Sequence, residues 1–315
     1  MTEPFVRPDV ALFLAFLNAQ TGPKTHEMSV VEARESMRSL KDLADLPIGD
    51  LAEMRDLACP GPAGDIPLRL FDSRADRAPG PALLFFHGGG FVFGDLDSHA
   101  PVCAEIARRL DLPVVAVDYR LAPEHRWPAA PDDCEVAARW LADSPAALGR
   151  QVTGLVLAGD SAGGTLAIVT ALALRDRPAA RPVLAQWPIY PLVDEGPKYA
   201  SYHDFSEGFV LSADSMRWFD DAYRADMGHW RGAPLAADQT GMPPTLVLTA
   251  SLDPLRDQGR AYAAATATAG VATIYREAAG IVHGFINLRK AIPSGATDIA
   301  DCLDHLKLMI AESMR

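Results

Sequence analysis

From about Pro79 onward, the apolar positions of this chain alternate between two kinds of run. Short runs are continuously apolar, whereas longer runs repeat their apolar residues at the spacing of an α-helix. Continuous apolar runs are typical of parallel strands that are covered on both faces, so the alternation predicts a doubly wound, mostly parallel α/β sheet. The predicted strands are Ala82–Phe86, Val114–Asp118, Leu155–Ala158, Val183–Trp187, Thr245–Thr249 and Ala272–Tyr275. The predicted helices cover about residues 100–110, 133–141, 162–175, 254–269 and 296–313.

Two regions depart from this alternation, and we expect them to form a helical cap over the carboxyl edge of the sheet. Residues 1–45 have a helical pattern, and residues 194–230 are rich in aromatic side chains. An aromatic insertion buries its large apolar surface most economically against the N-terminal helices. The alternative is that its aromatic residues simply fill the core. The predicted organisation is a cap of residues 1–45 and 194–230 on a catalytic domain of residues 46–193 and 231–315.

The first helix of the cap is predicted over the apolar run Val10–Leu17. Pro8 and Asp9 precede the run as helix-starting residues, and Thr21–Pro23 ends it. The run is too short to span a bilayer, and it has neither a basic segment before it nor a small-residue cleavage site after it. We therefore expect a buried or lid-like helix and no stable membrane insertion.

The charge of the chain argues against nucleic acid as a partner. The formal net charge is −12, and no cluster of lysine and arginine interrupts the acidic balance, whereas phosphate binding needs a clustered cationic face. The four cysteines lie far apart without C-x-x-C spacing, which predicts buried free thiols and a reducing, cytoplasmic location. These residues are Cys59, Cys103, Cys134 and Cys302.

Ser161 is the candidate nucleophile, because it is the centre of the G-x-S-x-G stretch between a predicted strand and a predicted helix. A serine in such a sharp turn has a strained backbone, and we expect Gly159 and Gly163 to remove side chains that would press against it. The turn also places the serine at a helix N-terminus, where negative charge is favoured. The alternative is a tight turn whose serine has no catalytic task. Asp160 is expected to be structural.

A serine nucleophile needs a general base and an acid that orients the base. His283 is the candidate base, since it lies on a loop after the last predicted strand, whereas His305 falls inside the C-terminal helical pattern. Asp253 is the candidate acid, because it follows a predicted strand closely. Asp194 also follows a strand and is the alternative acid, and Asp257 is better placed for a structural role. The chain order Ser, Asp, His is the order expected of an α/β-hydrolase.

A glycine-rich segment after the first predicted strand supplies the fourth component, an oxyanion hole. In the stretch HGGGF, three consecutive glycines follow His87 and let backbone N–H groups approach a ligand closely. The expected donors are the N–H groups of Gly88, Gly89 and Ala162. The lysine of a phosphate-binding loop is missing, which disfavours that interpretation. We expect His87 to anchor the loop through hydrogen bonds.

Five stretches of the sequence resemble the hormone-sensitive lipase family of bacterial carboxylesterases (family IV) in order and spacing. They are HGGGF, DYRLAPEHRWPAAPDD, GDSAGG, DPLRD and HGF. The resemblance covers essentially the whole chain, including the two-part cap. It implies an α/β-hydrolase fold with Ser161 as nucleophile, His283 as general base and Asp253 as acid, together with the oxyanion donors named above. It also implies that the charged residues of Asp118–His125 pair with one another or their surroundings to brace the sheet.

The resulting hypothesis is a serine carboxylesterase that works through an acyl-enzyme and uses neither a metal nor an organic cofactor. A capped pocket favours soluble small-molecule esters with short to medium acyl chains, and the chain is a candidate for homodimer formation. The same residues could hydrolyse a lactone or an aryl formamide instead. A non-catalytic small-molecule receptor of this fold is the alternative from another class, and the presence of His283 argues against it.

Overall fold

Within residues 4–315, which the computed structural model describes, an eight-stranded, mostly parallel sheet forms the centre of the fold. Its strands are β1 (Glu53–Gly61), β2 (Gly64–Asp72), β3 (Gly80–Phe86), β4 (Val114–Val117), β5 (Val152–Asp160), β6 (Val183–Ile189), β7 (Thr245–Leu252) and β8 (Thr273–Val282). Their order across the sheet is β1-β2-β4-β3-β5-β6-β7-β8. β2 runs antiparallel to β1 and β4, and the neighbours from β4 to β8 are parallel. The predicted fold class is therefore confirmed.

Helices cover both faces of this sheet, which explains why its central strands are continuously apolar. The α-helices of the described residues are α1 (Pro8–Asn18), α2 (Val30–Ala44), α3 (Ala100–Leu110), α4 (Ala129–Ala142), α5 (Ala162–Asp176), α6 (Ala200–Asp204), α7 (Ala213–Tyr223), α8 (Arg256–Thr268) and α9 (Gly295–Ser313). α3 and α9 pack on one face, and α4 and α5 pack on the other. Along β3, Leu83 and Phe85 join the first core, whereas Leu84 and Phe86 join the second. A strand covered in this way has no solvated side for polar residues.

The hairpin β1–β2 was not predicted from the sequence, and it adds an antiparallel edge to the sheet. β1 has a single neighbouring strand, and most of its length alternates between half-buried and exposed positions. Such alternation is the pattern of a strand with one solvated face. β1 therefore contains no continuous apolar run of the kind that predicts the buried strands. β2 pairs with β4 through residues Leu68–Phe71, and this pairing joins the hairpin to the parallel strands.

Helix α1 covers the span that the sequence predicts, but it is buried on one face only. Val10 and Leu14 belong to the core, whereas Leu12 is 74% exposed and Phe16 is 66% exposed. A helix that lies on a domain buries one stripe of its surface, so a uniformly apolar sequence did not produce burial on all sides. No helix within residues 4–315 is both long enough and apolar enough to cross a membrane.

The charged segment after β4 braces the sheet through two of its side chains and not through a third. The Arg120 guanidinium forms a bidentate pair with Asp133 of α4, and Glu124 pairs with Arg34 of α2. Asp118, by contrast, makes no side-chain hydrogen bond or ion pair with any residue of the described range 4–315. Burial accordingly raises the pKa of the Asp118 carboxyl to about 6. The expectation that the charges of this segment pair with their surroundings holds for Arg120 and Glu124 only.

A buried ion pair ties the end of α2 to the segment that follows β8. The Asp45 carboxylate accepts hydrogen bonds from Arg289 Nε and an Arg289 terminal nitrogen, at 2.7 and 2.9 Å. Both residues are less than 5% exposed. The carbonyl of Ala44 also accepts the N–H groups of Lys290 and Ala291. The end of α2 is thus held against residues 289–291, which follow His283 by a few positions in the chain.

Replacing Asp45 with Asn should lower the free energy of unfolding by about 3–5 kcal/mol, because it leaves the buried Arg289 guanidinium without a counter-charge. Urea unfolding of the variant and the wild type measures the difference. Asp42→Asn is the matched control, since Asp42 lies one turn earlier and its side chain is 84% exposed. Equal losses in the two variants would contradict a special contribution of the buried pair.

Candidate active site

Ser161 forms the corner between β5, which ends at Asp160, and α5, which begins at Ala162. Its φ of +55° lies in the left-handed region, which is strained for a residue with a side chain. The Ser161 N–H donates to the carbonyl of Ile189 at the end of β6, at 2.8 Å. The corner is therefore the sharp strand-to-helix turn that the G-x-S-x-G stretch predicts, held in place by the neighbouring strand.

The two glycines of the turn are needed for a different contact from the one that we expected. A Cβ on Gly163 would overlap the carbonyl of Phe86 at the end of β3, and a Cβ on Gly159 would overlap the backbone of Gly163. The expected crowding was against Ser161 itself. The two glycines instead let the backbone of the serine turn pack directly on the backbone of β3. This strand leads into residues 88–90, which we call the glycine loop.

A continuous chain of hydrogen bonds joins the three residues that the sequence selected as a triad. Ser161 Oγ lies 2.8 Å from His283 Nε2, and His283 Nδ1 lies 2.7 Å from Asp253 Oδ2. The other Asp253 oxygen accepts the N–H of Leu255 at 2.8 Å, and the aspartate is fully buried. Each residue directly follows a parallel strand, Ser161 after β5, Asp253 after β7 and His283 after β8. Their meeting at one sheet edge is what this topology requires.

The alternative candidates from the sequence lie outside this chain of hydrogen bonds. The Asp194 carboxylate binds the ammonium of Lys198 and the hydroxyl of Tyr199, both at 2.9 Å. Asp257 accepts the N–H of Ser201 and therefore has the structural position expected of it. His305 binds a backbone carbonyl of its own helix α9.

One of the three N–H groups expected to line an oxyanion hole is engaged by another acceptor. The Gly88 N–H donates to Asp160 Oδ1 at 2.8 Å, so it is consumed by a contact inside the protein. The N–H groups of Gly89, Gly90 and Ala162, by contrast, meet no acceptor anywhere in the described part of the chain. Gly89 and Gly90 have φ values of +117° and +59°, which a side chain would strain. The available pair of loop donors is therefore Gly89 and Gly90 rather than Gly88 and Gly89.

Asp160, which the sequence analysis left without a specific contact, holds the glycine loop in place. Besides the Gly88 N–H, its carboxylate lies 3.2 Å from His99 Nε2 and accepts the Tyr190 hydroxyl at 3.3 Å. Burial is the largest single influence and raises the pKa of this carboxyl, but His99, through its charge and its hydrogen bond, together with His283 and His87 outweighs burial and holds the pKa below its usual value. No pattern in the sequence identifies these contacts, because they connect separate strand ends.

His87 anchors the same loop, as the sequence analysis expected. Its ring stacks on Tyr119 with the centroids 4.3 Å apart, and the Tyr119 hydroxyl donates to the His87 carbonyl at 2.7 Å. Burial lowers the pKa of the His87 imidazole to about 4. The ring is therefore neutral at physiological pH and adds no positive charge behind the loop.

The aromatic insertion contacts the glycine loop directly through helix α7. The Phe219 ring lies against Gly90 so closely that a side chain at position 90 would overlap it. The rings of Phe93 and Phe219 meet edge to face with centroids 5.2 Å apart, and Phe91 stacks on Tyr223 at 3.9 Å. These contacts place α7 over the carboxyl edge of β3, beside the available N–H donors.

Known proteins resemble this chain in both sequence and structure. Residues 83–287 match a family described as alpha/beta hydrolase fold. Ethyl acetate hydrolase of Pseudomonas putida is 37% identical over 299 residues, which cover 91% of this chain and 94% of that protein. Esterase LipI of Mycobacterium tuberculosis is 36% identical over 275 residues, which cover 85% of this chain and 86% of that protein.

Solved structures agree with this chain over nearly its full length. A hyperthermophilic esterase from the archaeon Pyrobaculum calidifontis superposes with a TM-score of 0.90 at 36% identity, covering 98% of this chain and 99% of that one. An α/β-hydrolase enzyme from the metagenome of Lake Arreo superposes with a TM-score of 0.91 at 34% identity, covering 99% of each chain. The motifs, the sheet topology and these similarities agree, and the chain belongs to the hormone-sensitive lipase-like family (family IV) of α/β-hydrolases.

Proposed function

We propose that this protein is a serine carboxylesterase that transfers the acyl group of a small ester first to Ser161 and then to water. The observation that carries the proposal is the hydrogen-bonded chain from Ser161 through His283 to the buried Asp253. That arrangement activates a hydroxyl that is a poor nucleophile at its own pKa. The relatives named esterases and carboxylesterases support the same reaction class for a member of this family.

In the first step, His283 Nε2 takes the proton of Ser161 Oγ while the oxygen attacks the ester carbonyl. Asp253 accepts the Nδ1–H of His283, which fixes the tautomer with a free Nε2 lone pair and stabilises the imidazolium that forms. The imidazolium then protonates the departing alcohol. Water enters next and loses a proton to His283 as it attacks the acyl carbon. The bond from that carbon to Ser161 Oγ then breaks, His283 returns the proton to Oγ, and the acid leaves. None of these steps requires a metal ion or an organic cofactor.

The developing oxyanion is assigned to the backbone N–H groups of Gly89, Gly90 and Ala162. Their support is the absence of any competing acceptor within residues 4–315, together with the position of Ala162 at the start of α5. A helix N-terminus favours negative charge, and each donor of this kind contributes roughly 3–4 kcal/mol to transition-state stabilisation. Gly88 acts indirectly in this scheme, because its bond to Asp160 sets the path of the loop.

We further propose that residues 4–45 and 194–230 form a cap that limits substrates to soluble esters of short to medium acyl chains; residues 1–3 of the expected cap lie outside the described residues. The Phe219 ring on Gly90 supports this assignment, since it brings a bulky cap side chain beside a proposed oxyanion donor. A second support is the interaction of α7 with the N-terminal region, where Asp214 lies 4.0 Å from His26. A bulky side chain in the position of Phe219 leaves less space for an extended acyl chain near the reacting carbonyl.

A cytoplasmic location and a homodimer complete the proposed function. All four cysteines are buried free thiols, which suits a reducing compartment. β8 ends the sheet, and Arg7 binds the carbonyl oxygens of Ala279 and Gly280 near one end of its outer edge. Residues 273–278 of that edge pair only with β7 within the described range, and an open strand edge is a template for a second chain.

Ser161→Ala should abolish hydrolysis of p-nitrophenyl esters while leaving the fold intact, because it removes the atom that attacks the carbonyl. Initial rates on an acetate-to-decanoate series measure both the loss and the chain-length preference, and we expect the wild-type kcat/KM to fall beyond medium chains. Circular dichroism serves as the folding control. Hydrolysis that persists in the folded variant would rule out Ser161 as the nucleophile.

Asp253→Asn should lower kcat by about 10⁴, because an amide no longer holds His283 in the productive tautomer. Asp194→Asn is the matched control, since Asp194 also follows a strand but binds Lys198 and Tyr199 instead of the histidine. The control should keep kcat within a few fold of the wild type, as steady-state kinetics on p-nitrophenyl acetate would report. The reverse ranking would make Asp194 the acid.

A homodimer should appear in light scattering as twice the chain mass of 33.8 kDa. Tyr275→Pro, in the open part of the β8 edge, should shift the mass to that of the monomer, because the Tyr275 N–H points away from β7 and proline cannot donate a strand hydrogen bond. Leu308→Ser, on the exposed face of α9, tests whether that helix contributes instead. A wild-type mass of 33.8 kDa at micromolar concentration would contradict the dimer.

A further inference from the structure

Tyr190, the residue that follows β6, has a backbone conformation that tyrosine seldom adopts. Its φ is +35°, and its side chain is fully buried. The Tyr190 N–H donates to the carbonyl of Leu248 in β7 at 2.6 Å, which keeps the strained residue against the sheet. Strain of this kind costs free energy and persists only where the surroundings enforce it. The surrounding structure therefore keeps the Tyr190 side chain in one placement despite the strain in its backbone.

The Tyr190 side chain contacts two separate parts of the candidate active site. Its ring lies against the imidazole of His283, with centroids 4.5 Å apart and planes inclined by 52°. Its hydroxyl donates to Asp160 Oδ2 at 3.3 Å. Asp160 in turn holds the N–H of Gly88, at the start of the glycine loop. One side chain thus connects the proposed general base with the loop that carries the proposed oxyanion donors.

We propose that Tyr190 is a positioning residue for the reaction: its ring sets the orientation of the His283 imidazole, and its hydroxyl fixes Asp160 and, through it, the glycine loop. This inference rests on the proposed function, since it assigns Tyr190 a task only if His283 is the general base.

The ring contact supplies a restraint that the hydrogen bonds of His283 do not. Asp253 holds Nδ1 and Ser161 holds Nε2, but hydrogen bonds to ring nitrogens act along directions in the ring plane, so they resist rotation of the imidazole out of that plane only weakly. An aromatic neighbour packed at a fixed inclination restricts that rotation. His283 needs the restraint because Gly284, the next residue, has a φ of +79° and begins a tight turn.

The hydroxyl contact is the second part of the inference. Among the residues of the described range, Tyr190 is the only donor to Asp160 Oδ2, whereas Oδ1 lies near both the Gly88 N–H and His99. A buried carboxylate oxygen without a donor is unfavourable, so loss of the hydroxyl should let Asp160 reorient. The Gly88 N–H would then lose its fixed acceptor.

Two substitutions separate these contributions. Tyr190→Phe keeps the ring and should lower kcat by about 3- to 10-fold, the effect of losing an ordinary hydrogen bond, because the bond to Asp160 is long at 3.3 Å. Tyr190→Leu removes the ring as well and should lower kcat by about 100-fold, because a small displacement of a catalytic group has an effect of that size. KM should stay within about twofold in both variants, since neither contact involves the ground-state substrate.

Tyr262 provides matched controls for the loss of a buried tyrosine. It is also fully buried, and its hydroxyl accepts a hydrogen bond from Gln186 at 2.9 Å, away from the triad. Tyr262→Phe and Tyr262→Leu should shift the urea midpoint about as much as the Tyr190 variants and leave kcat within about twofold. Tyr190→Met replaces Tyr190→Leu if the latter does not fold.

The experiment measures kcat and KM on p-nitrophenyl acetate and the urea midpoint for the wild type, Ser161→Ala and the tyrosine variants. A kcat loss confined to the Tyr190 variants, larger for Leu or Met than for Phe, supports the inference. Equal kcat values in the Tyr190 and Tyr262 series, or a change in KM alone, overturn it while the proposed function stands. A wild type without activity overturns the proposed function and the inference together.

Discussion

The fold and the candidate site both depend on one close contact between backbones, at the end of β3 and the turn after β5. The carbonyl oxygen of Phe86 occupies the space that a side chain on Gly163 would need. Phe86 is in register with Gly159 across the parallel pair β3 and β5, so the contact is a consequence of strand pairing. Glycine is required here for close approach, because any side chain would separate the serine turn from the loop that carries the N–H donors.

Buried carboxylates then determine how the loops around this contact are arranged. Asp45, Asp160 and Asp253 are each at most 3% exposed, and each accepts hydrogen bonds from a backbone N–H or a cationic partner. A buried charge is tolerated only when its partners are in place, so each aspartate fixes the chain segment that supplies its donors. Asp118 shows the converse, since it has no such partner within residues 4–315 and burial raises its pKa to about 6.

How much of this was predictable from the sequence depends on whether a feature follows from strand order. The hydrogen-bonded arrangement of Ser161, His283 and Asp253 did, because each of them follows an apolar run, and parallel strands bring their carboxyl ends to one edge. The engagement of the Gly88 N–H by Asp160 was not predictable, because it depends on the side-chain geometry of two strand ends. The hairpin β1–β2 was missed because its alternating pattern differs from that of the buried strands.

Backbone strain recurs at the same edge of the sheet, and this bears on how the site is kept ready for reaction. Phe91, Ser161 and Tyr190 all have positive φ values, and they lie just beyond the ends of β3, β5 and β6. Such conformations persist only where the surrounding structure enforces them. The central strands enforce them here, since they are covered by helices on both faces and cannot relax without disrupting a close-packed core. The serine, the donor loop and the ring beside the histidine are therefore held in position before a substrate arrives, which is the condition for electrostatic stabilisation without reorganisation during the reaction.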